Sequence, residues 1–361
     1  MPETFLVFPT MTDEEIIQGI DSNTRFVVLD DHTNTTPTGD PLMKQYLEGR
    51  IHIIDQLIRQ FPNCIFFSDN YRFSVSDCDN FVWVPLDWLV MPARLKNSTT
   101  FPTDWTSKRK FTSNHTGGKN RINRILLEHW LAKNYPCDQL IHTKLEDSTL
   151  EMIEAVLLCS KHTSRKHIRP RINLPVQWHP WVKDDQGRSN EEHSHLSTSL
   201  RFFVPKIKNQ SYLAFVTEPQ DITLNTVAGA KTWDCMMGGN LILQFGNYKI
   251  IEIMTKLGLE TFNNCFDNSH LDSKDRYYQT IGGCENNKKV ICDHECVESM
   301  WYENIRKIKH NFNLAKDTGH WFRMFEKPLR MLSNALELSK NTEPGFNTAI
   351  PVDRFRYEFK L

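Results

Sequence analysis

The sequence predicts an α/β protein built from two βα domains. Short apolar runs alternate with segments of helical periodicity, and several of the runs end on Asp, Asn or Glu. The chain has 361 residues, whereas single hydrophobic cores stop growing at roughly 250–300 residues, so two domains are expected. We place the boundary at the turn-rich segment Asn97–Trp105.

The first predicted domain, residues 1–104, alternates strand and helix signals. Runs rich in branched and aromatic residues predict strands, and apolar residues at helical spacing predict helices. The predicted strands are Phe5–Phe8, Arg25–Leu29, Cys64–Phe67 and Phe81–Val84, and the predicted helices begin at Thr12 and cover Leu42–Phe61. This alternation predicts a parallel sheet flanked by helices.

The second predicted domain, residues 105–330, restarts the same pattern. Its predicted strands are Lys110–Thr112, Leu140–His142, Tyr212–Thr217 and Asn240–Phe245. After a predicted loop at Ser113–Lys119, helices are expected over 125–131, Leu150–Leu158, Lys231–Met237, Ile250–Leu257, Val297–Asn313 and Trp321–Lys340. Residues 164–195 are rich in Pro, Arg, Asp and Ser, which predicts a long irregular insertion.

Composition excludes several classes of protein. A net charge of −1, from 43 Lys plus Arg against 44 Asp plus Glu, excludes a histone-like protein. The longest apolar runs are far shorter than the roughly 18 residues of a membrane span, so no membrane insertion is expected. Nine scattered cysteines, and Glu3 where a secretory signal has basic residues, predict reduced thiols and a cytoplasmic location.

The charge is distributed unevenly along the chain. Residues 1–80 carry 13 acidic and 5 basic side chains, a net charge of −8. The stretches 105–127 and 161–173 carry basic side chains and no acidic ones. In the second stretch these are Lys161, Arg165, Lys166, Arg169 and Arg171. Such a stretch is either a solvated loop or a surface for an anionic partner such as a phosphate backbone.

The segment 230–246 holds the most informative chemistry. Lys231, Thr232 and Trp233 open a predicted helix, and Gly246 follows the next strand. A lysine at a helix start can meet a diphosphate with its own charge and with the positive end of the helix dipole. A glycine beyond a strand lets the backbone approach a ligand at the carboxyl edge of the sheet. Taken alone, however, these residues favour an ordinary βα unit with a solvated lysine.

This segment resembles a divergent family of phage, large-virus and bacterial glycosyltransferases of the GT-B type. Lys231-Thr232-Trp233 matches the family's Lys-Thr-aromatic helix start, and Ala230 stands where the family usually has Glu. Gly258, Thr261 and Phe262 match the end of the family's next helix. Further matches are Val216-Thr217-Glu218, which resembles a strand finishing on Glu, and Phe111-Thr112-Ser113-Asn114 with Arg124, which resembles an Asn-rich loop followed by Arg.

The resemblance covers residues 105–315 and implies two Rossmann-like βα domains that face a central cleft. Residues 1–104 would form the acceptor side and 105–330 the donor domain, while the C-terminal helix and tail, 331–361, would return to the first domain. The enzyme would use a nucleotide-diphosphate sugar as co-substrate, without a metal or other cofactor. The implied donor-binding residues are Asn114, Lys119, Arg121, Arg124, Glu218, Lys231, Thr232 and Gly246.

Aspartates at the ends of predicted strands are the candidates for a catalytic base. Asp30 and Asp31 follow the second strand, and Asp69 follows the third. Glycosyl transfer with inversion needs a base near the acceptor hydroxyl. Each aspartate taken singly fits a loop cap better, but the set is placed where a cleft is expected.

The acceptor has two open interpretations. It is a hydroxymethylated base in phage or viral DNA, modified in the host cytoplasm, or a glycan or other hydroxyl. For DNA, His167, Trp178 and Trp181 would offer stacking faces beside the basic insertion. The alternative function is a non-catalytic nucleic-acid-binding protein that uses the stretches 105–127 and 161–173. The sequence does not choose the sugar, the nucleotide, the stereochemical outcome or the oligomeric state.

A zinc site is the remaining chemical hypothesis. Cys284, Cys292, His294 and Cys296 are of zinc-ligand types and lie close together in the chain. Their spacing contains no CxxC knuckle, and the resemblance supplies no metal there. Reduced structural cysteines are therefore the expectation.

Overall fold

The computed structural model shows an α/β fold with parallel sheets. It describes residues 3–7, 11–29, 52–85, 89, 105–116, 122–136, 140–143, 208–217, 225–226, 229–245, 248–273 and 277–338. These residues form two four-stranded parallel sheets and one antiparallel pair of short strands. Every helix among them is too short or too polar to cross a bilayer.

The first sheet follows the order of the chain, β1-β2-β3-β5, and all its neighbouring strands are parallel. The strands are β1 (Glu3–Val7), β2 (Thr24–Leu29), β3 (Ile65–Ser68) and β5 (Phe81–Trp83). The connecting helices are α1 (Asp13–Gly19) and α2 (residues 52–60). Among the described residues, the predicted strands and helices of this part of the chain are confirmed, with ends that differ by about one or two residues.

Side chains alternate across the first sheet as a period of two requires. Val27 and Leu29 pack with Ile58 of α2 in one core, while Phe26 and Val28 face a second, larger core. At the start of α1, the Thr12 hydroxyl accepts from Glu15 N at 3.2 Å and the Glu15 carboxylate accepts from Thr12 N at 2.6 Å. This capping box explains why the acidic run after Thr12 begins a helix.

The second sheet has a different strand order, β10-β8-β6-β7, and is also parallel. Its strands are β6 (Phe111–Thr116), β7 (Leu140–Thr143), β8 (Ser211–Thr217) and β10 (Leu241–Phe245). The chain moves from β6 outward to β7, then returns past β6 to β8 and β10. This reversal is the doubly wound, Rossmann-like arrangement, and it creates a topological switch point between β6 and β8.

Helices pack against the second sheet and continue to the end of the described chain. They are α3 (Ile122–Asn134), α4 (Ala230–Met237), α5 (Ile250–Lys256), α6 (Gly283–Ile291), α7 (His294–Glu303), α8 (Ile305–Lys316) and α9 (Thr318–Leu338). All residues of β8 and β10 are buried beneath them. Such burial agrees with the near-continuous apolar runs expected of parallel strands.

Two predictions about element boundaries are wrong. The loop predicted from Ser113 is instead the continuation of β6, because its polar side chains bond to neighbouring elements: Ser113 Oγ donates to Tyr135 OH at 2.8 Å. The single helix predicted over Val297–Asn313 is two helices that meet at Asn304. Asn304 is buried and its amide donates to Met300 O at 2.9 Å, which interrupts the helix locally.

The two large sheets are joined at their carboxyl ends. Strand β4 (Tyr71–Arg72) follows the carboxyl end of β3, and β9 (Asn225–Thr226) follows that of β8. These two short strands pair antiparallel. The ring of Phe73 also packs edge-on against Tyr248, just beyond β10, with centroids 5.6 Å apart. The loops at the carboxyl edges of both sheets are therefore in contact.

The last helix, α9, reaches from the second sheet to the first. Phe325 has non-helical backbone angles (φ −111°, ψ 15°), and its ring packs edge-on against Trp83 of β5 at 5.7 Å. Pro328 follows in the first turn after this kink, where its missing N–H costs little. Further along, Thr4 Oγ1 of β1 donates to Ala335 O at 2.7 Å. The resemblance implies this return, whereas the tail beyond residue 338 lies outside the described residues.

Candidate functional site

The switch point of the second sheet is where a ligand is expected, because open α/β sheets bind ligands in the crevice beyond the carboxyl ends of their strands. Strand β6 ends at Thr116 and β8 ends at Thr217. His115 Nε2 lies 3.4 Å from Thr217 Oγ1, so polar side chains bridge the two strands at this edge. Both residues are buried.

Helix α4 begins at the same edge. Gly229 precedes it in extended conformation, and no side chain caps this helix start among the described residues. Gln244, next to last in β10, donates from Nε2 to Thr232 Oγ1 at 2.8 Å. Because Gln244 is at the carboxyl end of β10, this bond holds the amino end of α4 at the carboxyl edge of the sheet.

The three residues of the Lys-Thr-aromatic motif have different environments. Lys231 is partly exposed in the first turn of α4. Thr232 and Trp233 have no exposed surface, and Trp233 Nε1 donates to Ala315 O of α8 at 3.2 Å. Thr232 and Trp233 therefore anchor the helix to β10 and α8, and Lys231 is the member that can meet a ligand.

The remaining predicted donor-binding residues divide into two groups. Asn114 is buried, and its amide donates to Ser211 Oγ at 2.6 Å and to Leu213 O at 3.2 Å, so its donors are used within the sheet. Arg124 is in the first turn of α3, which follows the carboxyl end of β6, and it is only 4% exposed. Lys119, Arg121, Glu218 and Gly246 lie outside the described residues.

Of the three candidate catalytic residues, the structure describes only Asp69, at the carboxyl edge of the first sheet. Asp69 directly follows β3 and is 7% exposed, and its carbonyl accepts from Trp83 Nε1 at 3.0 Å. Asp30 and Asp31, which follow β2, lie outside the described residues. So do the cations of the predicted insertion, Lys161, Arg165, Lys166, Arg169 and Arg171.

A buried ion pair that the sequence did not indicate anchors the β4 segment. Arg72 Nη1 lies 2.9 Å from Asp55 Oδ1, and the two side chains are 1% and 9% exposed. The Ser74 hydroxyl also bonds to the Asp55 carboxylate. Since Arg72 is in the strand that pairs with β9, this ion pair supports the contact between the two sheets.

A second missed feature follows β10. Lys249 has left-handed backbone angles (φ 52°) at the start of α5, and its ammonium pairs with Glu252 at 2.8 Å. It also lies over the rings of Phe73 and Tyr248 at 5.5 and 5.8 Å. A cavity of about 390 Å³ opens here, lined by Lys249, Glu252, Asn263, Phe266, Asp267, Asn268 and Asp272 among others.

A buried histidine lies in the segment between two of the cavity-lining residues, Ser269 and Leu271. His270 Nε2 lies 2.8 Å from Gln244 O, and its Nδ1 lies 3.2 Å from Asp267 O. Burial lowers the pKa of His270, although the two carbonyl oxygens oppose this effect. A Cβ on Gly283 would approach the ring to 2.5 Å, so only glycine fits beside it.

The four candidate zinc ligands do not form a cluster. The Thr112 hydroxyl contacts His294 Nδ1 at 2.6 Å, and Cys292 Sγ faces Asn134 O at 3.8 Å. Burial raises the pKa of the fully buried Cys284 thiol well above its usual range. In the part of the chain that the structure describes, no group of three or more His, Cys, Asp and Glu side chains is arranged to hold a metal ion.

Comparison with known proteins adds no relative. The chain matches no protein-family model, and a search of curated proteins finds no match. The functional inference therefore depends on the fold and on the residues at the joined carboxyl edges.

Proposed function

We propose that the protein is a GT-B-type glycosyltransferase that moves a sugar from a nucleotide-diphosphate sugar to a hydroxyl acceptor. The observation that carries this proposal is the bond from Gln244 to Thr232, which holds the start of α4 and Lys231 at the carboxyl edge of a doubly wound sheet. The family resemblance supports the same assignment, since the match includes this helix start.

The leaving diphosphate needs positive charge and N–H donors as negative charge develops on it. The first turn of α4 offers backbone N–H groups and the positive end of the helix dipole, and Lys231 adds a full charge. Arg124, buried in the first turn of α3 on the switch-point side, would add a second cation. These groups supply the electrostatic stabilisation that a metal ion supplies in other enzymes.

The acceptor would approach from the first sheet. The pairing of β4 with β9 brings the loop after β3, which contains Asp69, toward the loop after β8. An aspartate among Asp30, Asp31 and Asp69 would take the proton of the acceptor hydroxyl if transfer inverts configuration. The acceptor would be a hydroxymethylated base in DNA, exposed from the stack, or a glycan.

The alternative function is a non-catalytic nucleic-acid-binding protein, and one of the cations predicted for its binding surface is not at the surface. Arg109 belongs to the basic stretch 105–127, but it is buried. It donates to Ser211 O at 2.6 Å and to Gly238 O at 3.1 Å, and it stacks on Trp301 at 4.5 Å. Burial lowers the pKa of Arg109 to about 10. This arginine therefore supports the fold and does not face a partner.

The proposal is tested with a panel of nucleotide sugars and a readout of nucleotide release. We expect Lys231→Ala to lower the rate by about a hundredfold or more, as for loss of one charge-stabilising donor. Lys133→Ala is the matched control, because Lys133 is exposed in the last turn of α3, away from this helix start. Full activity of Lys231→Ala would contradict the assignment of the donor site.

Ligand binding gives a second readout. A nucleoside diphosphate present at a hundredfold excess over its Kd should stabilise the wild-type protein by about 2.7 kcal/mol. The Lys231→Ala variant should show a smaller increase in Tm at the same concentration. A wild-type protein whose Tm no nucleoside diphosphate raises would argue against a nucleotide-sugar enzyme.

A further inference from the structure

Helix α8 is basic along its whole length. It contains four Lys and Arg residues and no Asp or Glu, whereas α7 directly before it contains three Glu and no Lys or Arg. The exposed positions of α8 are Arg306, Lys309, His310, Asn313 and Lys316. These positions follow helical spacing and form one stripe, which we call the α8 stripe.

The stripe spans the distance between several phosphates. At a rise of 1.5 Å per residue, Arg306 and Lys316 are about 15 Å apart along the helix axis. Each strand of a nucleic-acid duplex presents a phosphate about every 3.4 Å of axis. The stripe therefore matches about four successive phosphates.

Two of the cations on the stripe, Arg306 and Lys309, are not neutralised by the described residues. Among the described residues, neither Arg306 nor Lys309 forms an ion pair, and Asp317 just beyond the helix pairs with Arg323 at 4.0 Å. Lys307 is different, because its ammonium binds Thr261 O at 3.1 Å and Asn264 Oδ1 at 2.7 Å. The stripe thus presents cations that an anionic partner can neutralise.

Aromatic rings lie beside these cations. Lys309 Nζ lies 5.6 Å from the centre of the partly exposed Trp105 ring. Trp105 is held in place by a stacked contact with Trp301 at 6.4 Å and an edge contact with Phe312 at 5.3 Å. Tyr302 is 37% exposed nearby, and its hydroxyl reaches Thr106 O at 3.4 Å. A basic track with interleaved aromatic faces is typical of nucleic-acid surfaces.

The carboxyl end of α8 packs beside the amino-terminal half of α4. Trp301 Nε1, just before α8, donates to Gly239 O beyond the carboxyl end of α4 at 2.8 Å. Ala315, near the end of α8, accepts from Trp233 at the start of α4. Helix α8 therefore runs antiparallel to α4, and Lys316 lies at the end of α4 that carries Lys231.

We propose that the α8 stripe binds the phosphodiester backbone of a nucleic acid. A membrane surface fits less well, because the apolar residues of α8 pack against the core: Ile308, Phe312 and Ala315 are buried, and Ile305 and Leu314 are partly buried. This binding goes beyond the proposed transfer reaction and needs no sugar donor. Only the further role of the bound nucleic acid as acceptor would depend on that reaction.

The test measures anisotropy of labelled 20-nucleotide single-stranded and duplex DNA across a salt series. Arg306→Gln/Lys309→Gln should weaken binding at least tenfold at low salt. It should also reduce the slope of log K against log salt by about 1.4 for single strands, at about 0.7 per phosphate contact. Lys316→Gln, at the other end of the stripe, should reduce the slope by about 0.7.

The charge-matched control is Lys133→Gln/Lys289→Gln, which removes two exposed lysines from α3 and α6. It should keep the wild-type slope, and all variants should keep the wild-type Tm because the substituted side chains are exposed. An unchanged slope in both stripe variants, or an equal loss in the control, would overturn the proposal. Tighter binding to anionic phospholipid vesicles or to heparin than to DNA would overturn it as well.

Discussion

Gln244 and Thr232 connect the carboxyl end of a strand to the amino end of the helix that precedes it. The Gln244 amide donates to the Thr232 hydroxyl at 2.8 Å, and both side chains are at most 1% exposed. The Gln244 carbonyl lies 2.8 Å from His270 Nε2. One residue of β10 therefore positions both the Lys231 helix and the segment that follows α5.

Replacing Thr232 by Val should destabilise the protein, because it leaves the buried Gln244 amide without this acceptor. The expected loss in the free energy of unfolding is about 1–3 kcal/mol, measured by urea denaturation. Thr255→Val is the control, since Thr255 is exposed on α5, and it should change stability by less than about 0.5 kcal/mol. Equal losses of stability in the two variants would show that the hydrogen bond from Gln244 to Thr232 does not stabilise the protein.

Replacing Arg72 by Leu should be more costly. It leaves Asp55 buried without its cation, and breaking a buried pair in this way costs about 3–5 kcal/mol. The comparison is Arg59→Leu, which removes an exposed pair with Asp77 whose side chains are 53% and 74% exposed. That change should cost about 0–1 kcal/mol. Guanidinium denaturation of both variants checks the difference, and similar midpoints would contradict it.

The stability of the protein should fall below neutral pH because of His270. Its pKa is lowered in the folded protein, so the unfolded chain binds the proton more readily, and stability is fully present only above about pH 6.5. As the pH falls from there toward the lowered pKa, this contribution is lost. His270→Gln should show a smaller decrease in Tm between pH 7.5 and 5.5 than wild type. His52→Gln, which removes an exposed histidine of α2, is the control.

Local signals predicted most elements, and their failures have physical causes. Apolar runs such as those in β2, β8 and β10 identified strands because burial on both faces favours apolar side chains at most positions. The second half of β6 was not predicted as a strand, because the polar side chains of Ser113 and Asn114 form their hydrogen bonds with residues distant in the chain, Tyr135 and Ser211. The helix break at Asn304 was not predicted, because helical periodicity continues across it.

The residues of the candidate site also divide into those with a local sequence signal and those without one. Lys231 is predicted as a donor-site residue from its motif, and this role stays a prediction; the first turn of α4, which contains it, lies at the carboxyl edge of the sheet. Asn114 was identified from the same resemblance, but its amide donors are used within the sheet. Gln244, the ion pair of Arg72 with Asp55, and His270 gave no signal, because their importance depends on burial and on distant partners.

The sequence by itself determined the α/β class, most strands and helices, and the position of the Lys-Thr-aromatic motif at a helix start. These features depend on short-range periodicity and composition, which one chain displays directly. Only the tertiary structure decided the order β10-β8-β6-β7, the pairing of β4 with β9, and the antiparallel course of α8 beside α4. Strand order and helix packing depend on contacts between residues far apart in the chain. Those contacts decide where the switch point, the Lys231 helix start and α8 lie relative to one another.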